Sequence, residues 1–193
     1  MDELIPKEEF GKIWTKLYGD AKTEIFRLQL LDTYTVESEE RFLTAYKEGR
    51  RLPIPEDSGY FKTMEQKKKE GVRILNLLVV DLPLSLYTRW VTEDVYTVTE
   101  KKGQETLMVD RKTVDKITRG KTDYWMFDDS IVMPMRYDEE GHFLGAGRPI
   151  EDKRDIAQYS SLKKDLLGVA EPMRVFLRDH NQTPPPKRMK DRN

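Results

Sequence analysis

The stretch VRILNLLVV, residues 72–80, decides how the rest of the sequence is interpreted. It is nearly all apolar and rich in β-branched residues, which is typical of a strand covered on both faces. Pro83 follows and suits the first turn of a helix that begins near Leu82. The run GQETLMVD, residues 103–110, then predicts a second strand. Residues 72–110 therefore predict a strand–helix–strand unit.

Working outward, the flanking segments add helices, a strand and a hairpin. Residues 24–31 alternate, with Phe26, Leu28 and Leu30 on one face and Arg27 and Gln29 on the other, which predicts a half-buried strand. Helical spacing or capping predicts helices over 8–18, 37–48 and 59–70, and a helical region over 152–179 that Gly168 and Pro172 break or kink. The sequence predicts an α/β or α+β fold: a mixed β-sheet with a strand–helix–strand unit and a closing β-hairpin, flanked by helices.

Length and composition limit the class of protein. The 193 residues suit one globular domain over 1–180, followed by a basic, proline-containing tail over 181–193. The absence of cysteine excludes disulfides, thiol nucleophiles and thiolate zinc sites. The acidic start of the chain lacks the apolar core of a signal peptide, and no apolar run approaches the ~20 residues of a membrane span. We expect a soluble cytoplasmic protein that needs no cofactor.

Asp128 and Asp129 are the first candidates for chemistry. Two carboxylates in a pocket can bind a divalent cation or act as acid and base. Adjacent residues on a strand point to opposite faces, so these two converge only if the backbone turns there. The alternative is a simple turn, because Asp-Asp-Ser is a turn-like triplet between two apolar strands.

Residues 138–141, Asp-Glu-Glu-Gly, lie between two short alternating runs and predict the tip of a hairpin, with Gly141 supplying a positive φ. His142 then lies on the returning strand, and we expect a surface position rather than a catalytic base. Pro134 cannot donate a ladder hydrogen bond, so its strand is expected at a sheet edge or at a bulge.

A second group of candidates follows the apolar strand. Ser85, Tyr87 and Arg89 lie within about a turn of its end, where α/β proteins commonly bind ligands. Arg89 could hold an anion there. The alternative is that Arg89 pairs with Glu93 and that Ser85 is simply an early residue of the helix.

Basic residues form a third group, although the net charge is −1. Such patches can contact phosphates, but they are more often solvated faces. The segment 111–121 carries Arg111, Lys112, Lys116, Arg119 and Lys121, and the tail adds Lys187, Arg188, Lys190 and Arg192.

Residues 8–165 resemble a family of small uncharacterised domains that are common in actinobacteria and often encoded beside helix-turn-helix regulators. The motifs that carry the resemblance are Phe26-Arg27-Leu28, Pro83-Leu84-Ser85-x-Tyr87-x-Arg89-Trp90, Trp125-x-Phe127-Asp128-Asp129 and Met135-x-Tyr137-Asp138-x-x-Gly141-x-Phe143-x-Gly145. The chain differs from the usual pattern in its many lysines, in Asp81-Leu82 before the proline, and in its basic tail. The resemblance implies no assigned reaction.

Helix–glycine–strand units such as EGVRIL are also similar to those of the phospholipase-D-like fold. The histidine–x–lysine motif of those enzymes is absent, because neither His142 nor His180 is followed by it. An active hydrolase of that kind is therefore not expected.

Our preferred hypothesis is a non-enzymatic regulatory or binding module, without catalytic residues or a metal, that receives a small molecule or a protein partner such as a helix-turn-helix regulator. One alternative is a metal-dependent hydrolase or nuclease that uses Asp128 and Asp129. Another is direct nucleic-acid binding through residues 111–121 and the tail. The predicted ligand-binding residues are Ser85, Tyr87, Arg89, Trp125, Asp128, Asp129 and Tyr137.

Overall fold

The computed structural model of the protein describes residues 4–180, in which seven strands form one mixed sheet. The strands are β1 (Glu24–Gln29), β2 (Arg73–Val80), β3 (Gln104–Asp110), β4 (Tyr124–Phe127), β5 (Ile131–Tyr137), β6 (Phe143–Ala146) and β7 (Glu171–Pro172). They are ordered β6-β5-β4-β1-β2-β3-β7 across the sheet. The strands β1, β2 and β3 are parallel, and the remaining pairs are antiparallel. This confirms the predicted fold class and places β1 at the centre.

Helices cover both faces of this sheet. They are α1 (Lys7–Asp20), α2 (Glu40–Lys47) after a 3₁₀ turn (Glu37–Glu39), α3 (Gly59–Lys69), α4 (Leu86–Trp90), a π-helical turn (Val91–Val95) that continues into α5 (Tyr96–Lys102), α6 (Arg111–Thr118), α7 (Lys153–Leu167) and α8 (Met173–Asp179). The predicted strand–helix–strand unit is β2, the segment α4 to α5, and β3.

Alternation along β1 separates two apolar cores. Phe26 and Leu28 face α6 and α7 and pack with Leu75 and Leu77 of the neighbouring strand. The opposite face is covered by α1, by α2, by the segment α4 to α5, and by α8. Gln29 on that opposite face is only 3% exposed, so β1 is buried on both faces and the predicted half-buried strand is corrected. Arg27 lies on the same face as Gln29.

Two local predictions differ from the structure, one of them only in part. The helix after β2 begins at Leu86, not near Leu82, because the Ser85 side chain caps it by accepting a hydrogen bond from the Thr88 N–H. Pro134 lies on β5, which is an inner strand between β4 and β6 and not an edge. The alternative that this strand is bulged agrees with the structure, because the register of β5 shifts between Arg136 and Tyr137.

The hairpin prediction for residues 138–141 agrees with the structure, since β5 and β6 are joined there and the Gly141 φ is +82°. The predicted basic tail, residues 181–193, lies outside the described residues. Within residues 4–180, every helix is too short or too polar to cross a membrane.

Candidate functional site

The centre of the sheet brings three side chains together on one face. Arg27 of β1 is directly opposite Asn76 of β2 and Trp125 of β4. Side chains of directly opposed residues in neighbouring strands lie on the same face. The register of three strands that are distant in sequence therefore places a cation, an amide and an indole side by side.

The guanidinium of Arg27 is surrounded by aromatic rings. Its central carbon lies 5.2 Å from the centroid of the Trp125 ring and 6.0 Å from that of Tyr34. Such positions over aromatic faces stabilise a cation. The guanidinium also lies within hydrogen-bonding reach of the Tyr137 hydroxyl. No carboxylate oxygen of residues 4–180 lies within 4.0 Å of it, although the side chain is partly buried.

Tyr34 is held in place by a buried carboxylate. Its hydroxyl donates to Asp123 Oδ2 at 2.6 Å, and the Leu30 N–H donates to the other oxygen at 2.8 Å. Burial raises the pKa of Asp123, and burial also raises the pKa of Tyr34 well above its usual value. The hydroxyl therefore stays protonated near neutral pH, and both Asp123 oxygens are engaged in fixing the ring beside Arg27.

A second carboxylate, Glu39, belongs to the same face. It accepts a hydrogen bond from the Tyr87 hydroxyl at 2.8 Å, and the Tyr87 ring packs on Tyr34 with 5.8 Å between centroids. Burial raises the pKa of Glu39, while the hydrogen bond from Tyr87 and the charge of Arg27 act to lower it. Glu39 and Arg27 therefore feel each other's charge without being in contact.

Asn76 is the least satisfied polar group of this region. Its side chain is 2% exposed, and neither the amide nitrogen nor the amide oxygen has a hydrogen-bond partner among residues 4–180. Burial raises the pKa of the nearby Tyr96 hydroxyl and the Asn76 side chain opposes that rise, but this hydroxyl donates to Gln29 at 2.7 Å. A buried amide without partners is costly, so this position calls for a group that completes its hydrogen bonds.

We call this group the Arg27 cluster. It consists of Arg27, Tyr34, Glu39, Asn76, Tyr87, Trp125 and Tyr137. Three of the seven, Tyr87, Trp125 and Tyr137, were predicted from the sequence as ligand-binding residues, and the other four were not.

Asp128 is engaged in a backbone contact. Its carboxylate accepts hydrogen bonds from the backbone N–H groups of Lys22, Thr23 and Glu24 and from the Thr23 hydroxyl, over 2.7–3.1 Å. Burial alone would raise the Asp128 pKa, but these hydrogen bonds outweigh burial and lower it. These contacts tie the turn after β4 to the start of β1.

Asp129 points elsewhere. It pairs at 2.6 Å with Lys163 of α7, which also contacts Glu24. Both aspartates have positive φ values, +52° for Asp128 and +50° for Asp129, so the backbone does turn between β4 and β5. Asp129 borders a surface hollow of about 640 Å³, and Asp128 is not among the lining residues of that hollow. The two carboxylates therefore meet different partners.

Of the candidates after β2, Ser85 and Arg89 lie outside the cluster. The Ser85 hydroxyl caps α4 and donates to the Asp32 carbonyl at 2.7 Å. Arg89 is exposed. The predicted alternative partner of Arg89 is occupied, because Glu93 pairs with Arg51 and accepts from the Tyr46 hydroxyl.

The predicted nucleic-acid residues of α6 divide into two groups. Arg111 is structural: it bonds to Asp81 and to the carbonyl oxygens of Leu30 and Val79. The remaining four, Lys112, Lys116, Arg119 and Lys121, are exposed. Arg119 pairs with Asp115 along the helix.

The hairpin tip gathers Asp138, Glu140 and His142, whose potential ligand atoms all lie within 4.8 Å of one another. Asp138 accepts from the backbone N–H groups of the other two and lies 3.0 Å from His142 Nδ1. These bonds, mainly the His142 N–H bond, lower the Asp138 pKa. The contacts among Asp138, Glu140 and His142 are therefore contacts within an exposed turn.

Several solved structures match this fold at low sequence identity. The crystal structure of Nuc, a phospholipase D family member from Salmonella typhimurium, matches with a TM-score of 0.52 and 9% sequence identity, covering 89% of this chain and 95% of that one. NucT from Helicobacter pylori matches with a TM-score of 0.48 and 10% identity, covering 89% and 98%. TrmBL2, an archaeal chromatin protein with a novel mode of DNA binding, matches with a TM-score of 0.48 and 12% identity, covering 88% and 53%.

At this identity the likeness to Nuc is one of fold alone, and it agrees with the expected similarity to the phospholipase-D-like fold. The chain belongs to the family described as a domain of unknown function (DUF6879), which matches residues 12–178. No curated protein matches the sequence.

Four residues of the Arg27 cluster were not predicted, and the sequence gives only weak signals that they belong to a site. Arg27 was assigned to the solvent face of β1, although it belongs to one of the recognised motifs. Asn76 is the one polar residue in the apolar stretch LNLLVV. A polar side chain that is buried in such a strand needs hydrogen-bond partners, and this need is the signal for Asn76. Tyr34 lies in a loop and Glu39 lies just after it, so hydrophobic periodicity does not predict the direction of either side chain.

Proposed function

We propose that this chain is a non-enzymatic binding module that holds an anionic ligand on the central face of its sheet, with the Arg27 cluster as the binding site. The observation that carries the proposal is the environment of Arg27. The guanidinium is charged at every physiological pH, is partly buried, and has no carboxylate partner in the described part of the chain. A bound anion would offset the cost of that arrangement.

The cluster has the chemistry of recognition rather than catalysis. A guanidinium presents a rigid fork of donors that matches a carboxylate or phosphate group. Trp125 and Tyr34 fix the orientation of that fork, and the Asn76 amide offers a donor and an acceptor beside it. Burial raises the pKa values of the Tyr34 and Tyr87 phenols, so they stay protonated, donate to Asp123 and Glu39, and are poor bases near pH 7.

The regulatory part of the proposal is that ligand occupancy is sensed by a protein partner, such as a DNA-binding transcription regulator. The resemblance to domains encoded beside helix-turn-helix regulators supports it, as does the membership of a family without an assigned reaction. The cysteine-free composition supports action in the cytoplasm.

The test is binding of small anions to the intact protein. Thermal-shift screening with carboxylates, inorganic phosphate and nucleotides, followed by calorimetry, should identify a ligand. Arg27→Gln should weaken its binding by roughly tenfold or more, because a buried charge pair is lost. Arg89→Gln is the matched control, since Arg89 is an exposed arginine outside the cluster.

Circular dichroism would verify that Arg27→Gln still folds, and Arg27→Lys gives a second variant that keeps the charge and loses the fork. If no anion binds the wild-type protein, or if a ligand binds Arg27→Gln and wild type equally, the proposal is wrong. Co-purification with a DNA-binding protein tests the regulatory part separately.

A further inference from the structure

Two opposite charges of the Arg27 cluster have no ion-pair partner within residues 4–180. Glu39 accepts one hydrogen bond, from the neutral hydroxyl of Tyr87, and Arg27 reaches the hydroxyl of Tyr137. Burial raises the Glu39 pKa and the charge of Arg27 opposes that rise, yet no nitrogen–oxygen distance between them is 4.0 Å or less. Both side chains are partly exposed, so each charge can meet a ligand group of opposite sign.

Aromatic rings connect these two charges. The guanidinium of Arg27 lies 6.0 Å from the Tyr34 ring centroid, the Tyr34 and Tyr87 rings are 5.8 Å apart, and the Tyr87 hydroxyl contacts Glu39. A ligand that spans from Arg27 to Glu39 would run along this wall of rings. Phenol rings also stabilise an organic cation through their faces, so the end near Glu39 favours an amine for a second reason.

The local charge balance argues against a phosphate ligand. Glu39 and the buried Asp123 both interact electrostatically with Arg27, so a single cation already faces two acids. A doubly charged phosphate would be repelled by both carboxylates. Asp123 has both oxygens engaged by Leu30 and Tyr34, which leaves Glu39 as the acid that can receive a cation.

We infer that the Arg27 cluster binds a small zwitterion, with its carboxylate on Arg27 and its protonated amine on Glu39. Free amino acids are the simplest members of this class. This inference rests on the proposed function and specifies its ligand. Trp125 and Tyr137 supply apolar ring surface beside the guanidinium, so a zwitterion with a planar or aromatic side chain should bind best.

The experiment uses the full chain and compares matched ligands. The twenty standard amino acids are screened by thermal shift. Calorimetry then compares the best of them with the carboxylate that lacks its amine and with the amine that lacks its carboxylate. We expect the amino acid to bind roughly tenfold tighter than either analogue, because each analogue leaves one protein charge without a partner.

Glu39→Gln separates the two levels of the proposal. In this variant the amino acid and its deaminated carboxylate should bind with similar affinity, since the group that distinguishes them has lost its charge. Glu40→Gln is the control, because Glu40 is a neighbouring exposed acid and should leave the discrimination unchanged.

If carboxylates or phosphates bind wild type as tightly as any amino acid does, and Glu39→Gln changes nothing, the zwitterion inference is wrong while anion binding at Arg27 stands. If amino acids bind and Arg27→Gln has no effect on their affinity, the assigned site is wrong. If none of the amino acids and no other anion binds, both proposals fail.

Discussion

The replacement Asp128→Asn tests whether this carboxylate is a structural contact or a metal ligand. In the structure it joins the turn after β4 to three consecutive backbone N–H groups at the start of β1. Asparagine keeps one acceptor oxygen and tolerates the positive φ of +52°, but it loses the charge. A hydrogen bond to a charged acceptor contributes roughly 1.5–3 kcal/mol and a neutral one roughly 0.5–1.5 kcal/mol.

Each of the three backbone bonds should therefore weaken by roughly 1 kcal/mol. Water replaces part of that loss because the donors of Lys22 and Thr23 are exposed. We expect the free energy of unfolding to fall by about 2 kcal/mol in total. For a domain of this size such a change lowers the melting temperature by about 4–8 °C.

The pH dependence has a defined sign. The native pKa of Asp128 lies below its usual value, because the backbone hydrogen bonds outweigh the effect of burial. The contribution of the carboxylate is therefore complete above its unfolded pKa of about 4 and is lost as the pH falls through the native pKa. The difference in stability between wild type and Asp128→Asn should shrink below about pH 4.

Urea unfolding followed by circular dichroism, at pH 7 and at pH 3, measures both effects. Asp129→Asn is the control: Asp129 also has a positive φ, but its side chain is 59% exposed, so its loss should cost about 1 kcal/mol or less. Wild-type stability in Asp128→Asn, combined with loss of a divalent-dependent cleavage activity, would refute this reasoning and support the metal hypothesis.

Three further predictions concern stability and surface charge. Gly141→Ala should lower the free energy of unfolding in urea by roughly 1–3 kcal/mol, because φ is +82° and an added Cβ would lie 2.6 Å from a backbone oxygen. Unchanged stability would contradict the described turn. Lys163→Met should lower the free energy of unfolding by about 2–3 kcal/mol in the same assay, because the lysine is 9% exposed and pairs with two acids. The control Lys164→Met changes an exposed lysine and should leave stability nearly unchanged. If α6 binds nucleic acid, the double variant Lys112→Gln/Lys116→Gln should reduce the slope of log affinity against log salt in a fluorescence-anisotropy titration by about 2; an unchanged slope removes this helix as an interface.

Structural features that depend only on residues close in sequence were predictable. The apolar stretch in β2 and the alternation in β1 fixed both strands to within two residues at each end. The hairpin at 138–141 followed from its acids and glycine. Where one local preference competed with a second, the prediction failed: Pro83 suggested a helix start, but the Ser85 side chain supplies the cap and the helix begins after it.

The candidate site was only partly predictable. Trp125, Tyr137 and Tyr87 were chosen for their motif or for their position after a strand, and all three belong to the Arg27 cluster. Arg27 was assigned to the solvent face, since a charged residue in an alternating strand normally faces water. That expectation is wrong for Arg27, because helices cover both faces of the sheet. No local sequence pattern shows which faces of a strand other elements will cover.

The sequence by itself determined the elements of this protein, its mixed sheet and its closing hairpin, because hydrophobic periodicity and turn chemistry act over a few residues. Only the tertiary structure decided the register that sets Arg27 between Asn76 and Trp125, and the loop path that brings Tyr34 and Glu39 over them. These groups are separated by up to about a hundred residues, so their meeting depends on how strands β1, β2 and β4 pair. The same pairing places Asp128 against the backbone at the start of β1 and leaves Arg27 without a carboxylate partner among residues 4–180.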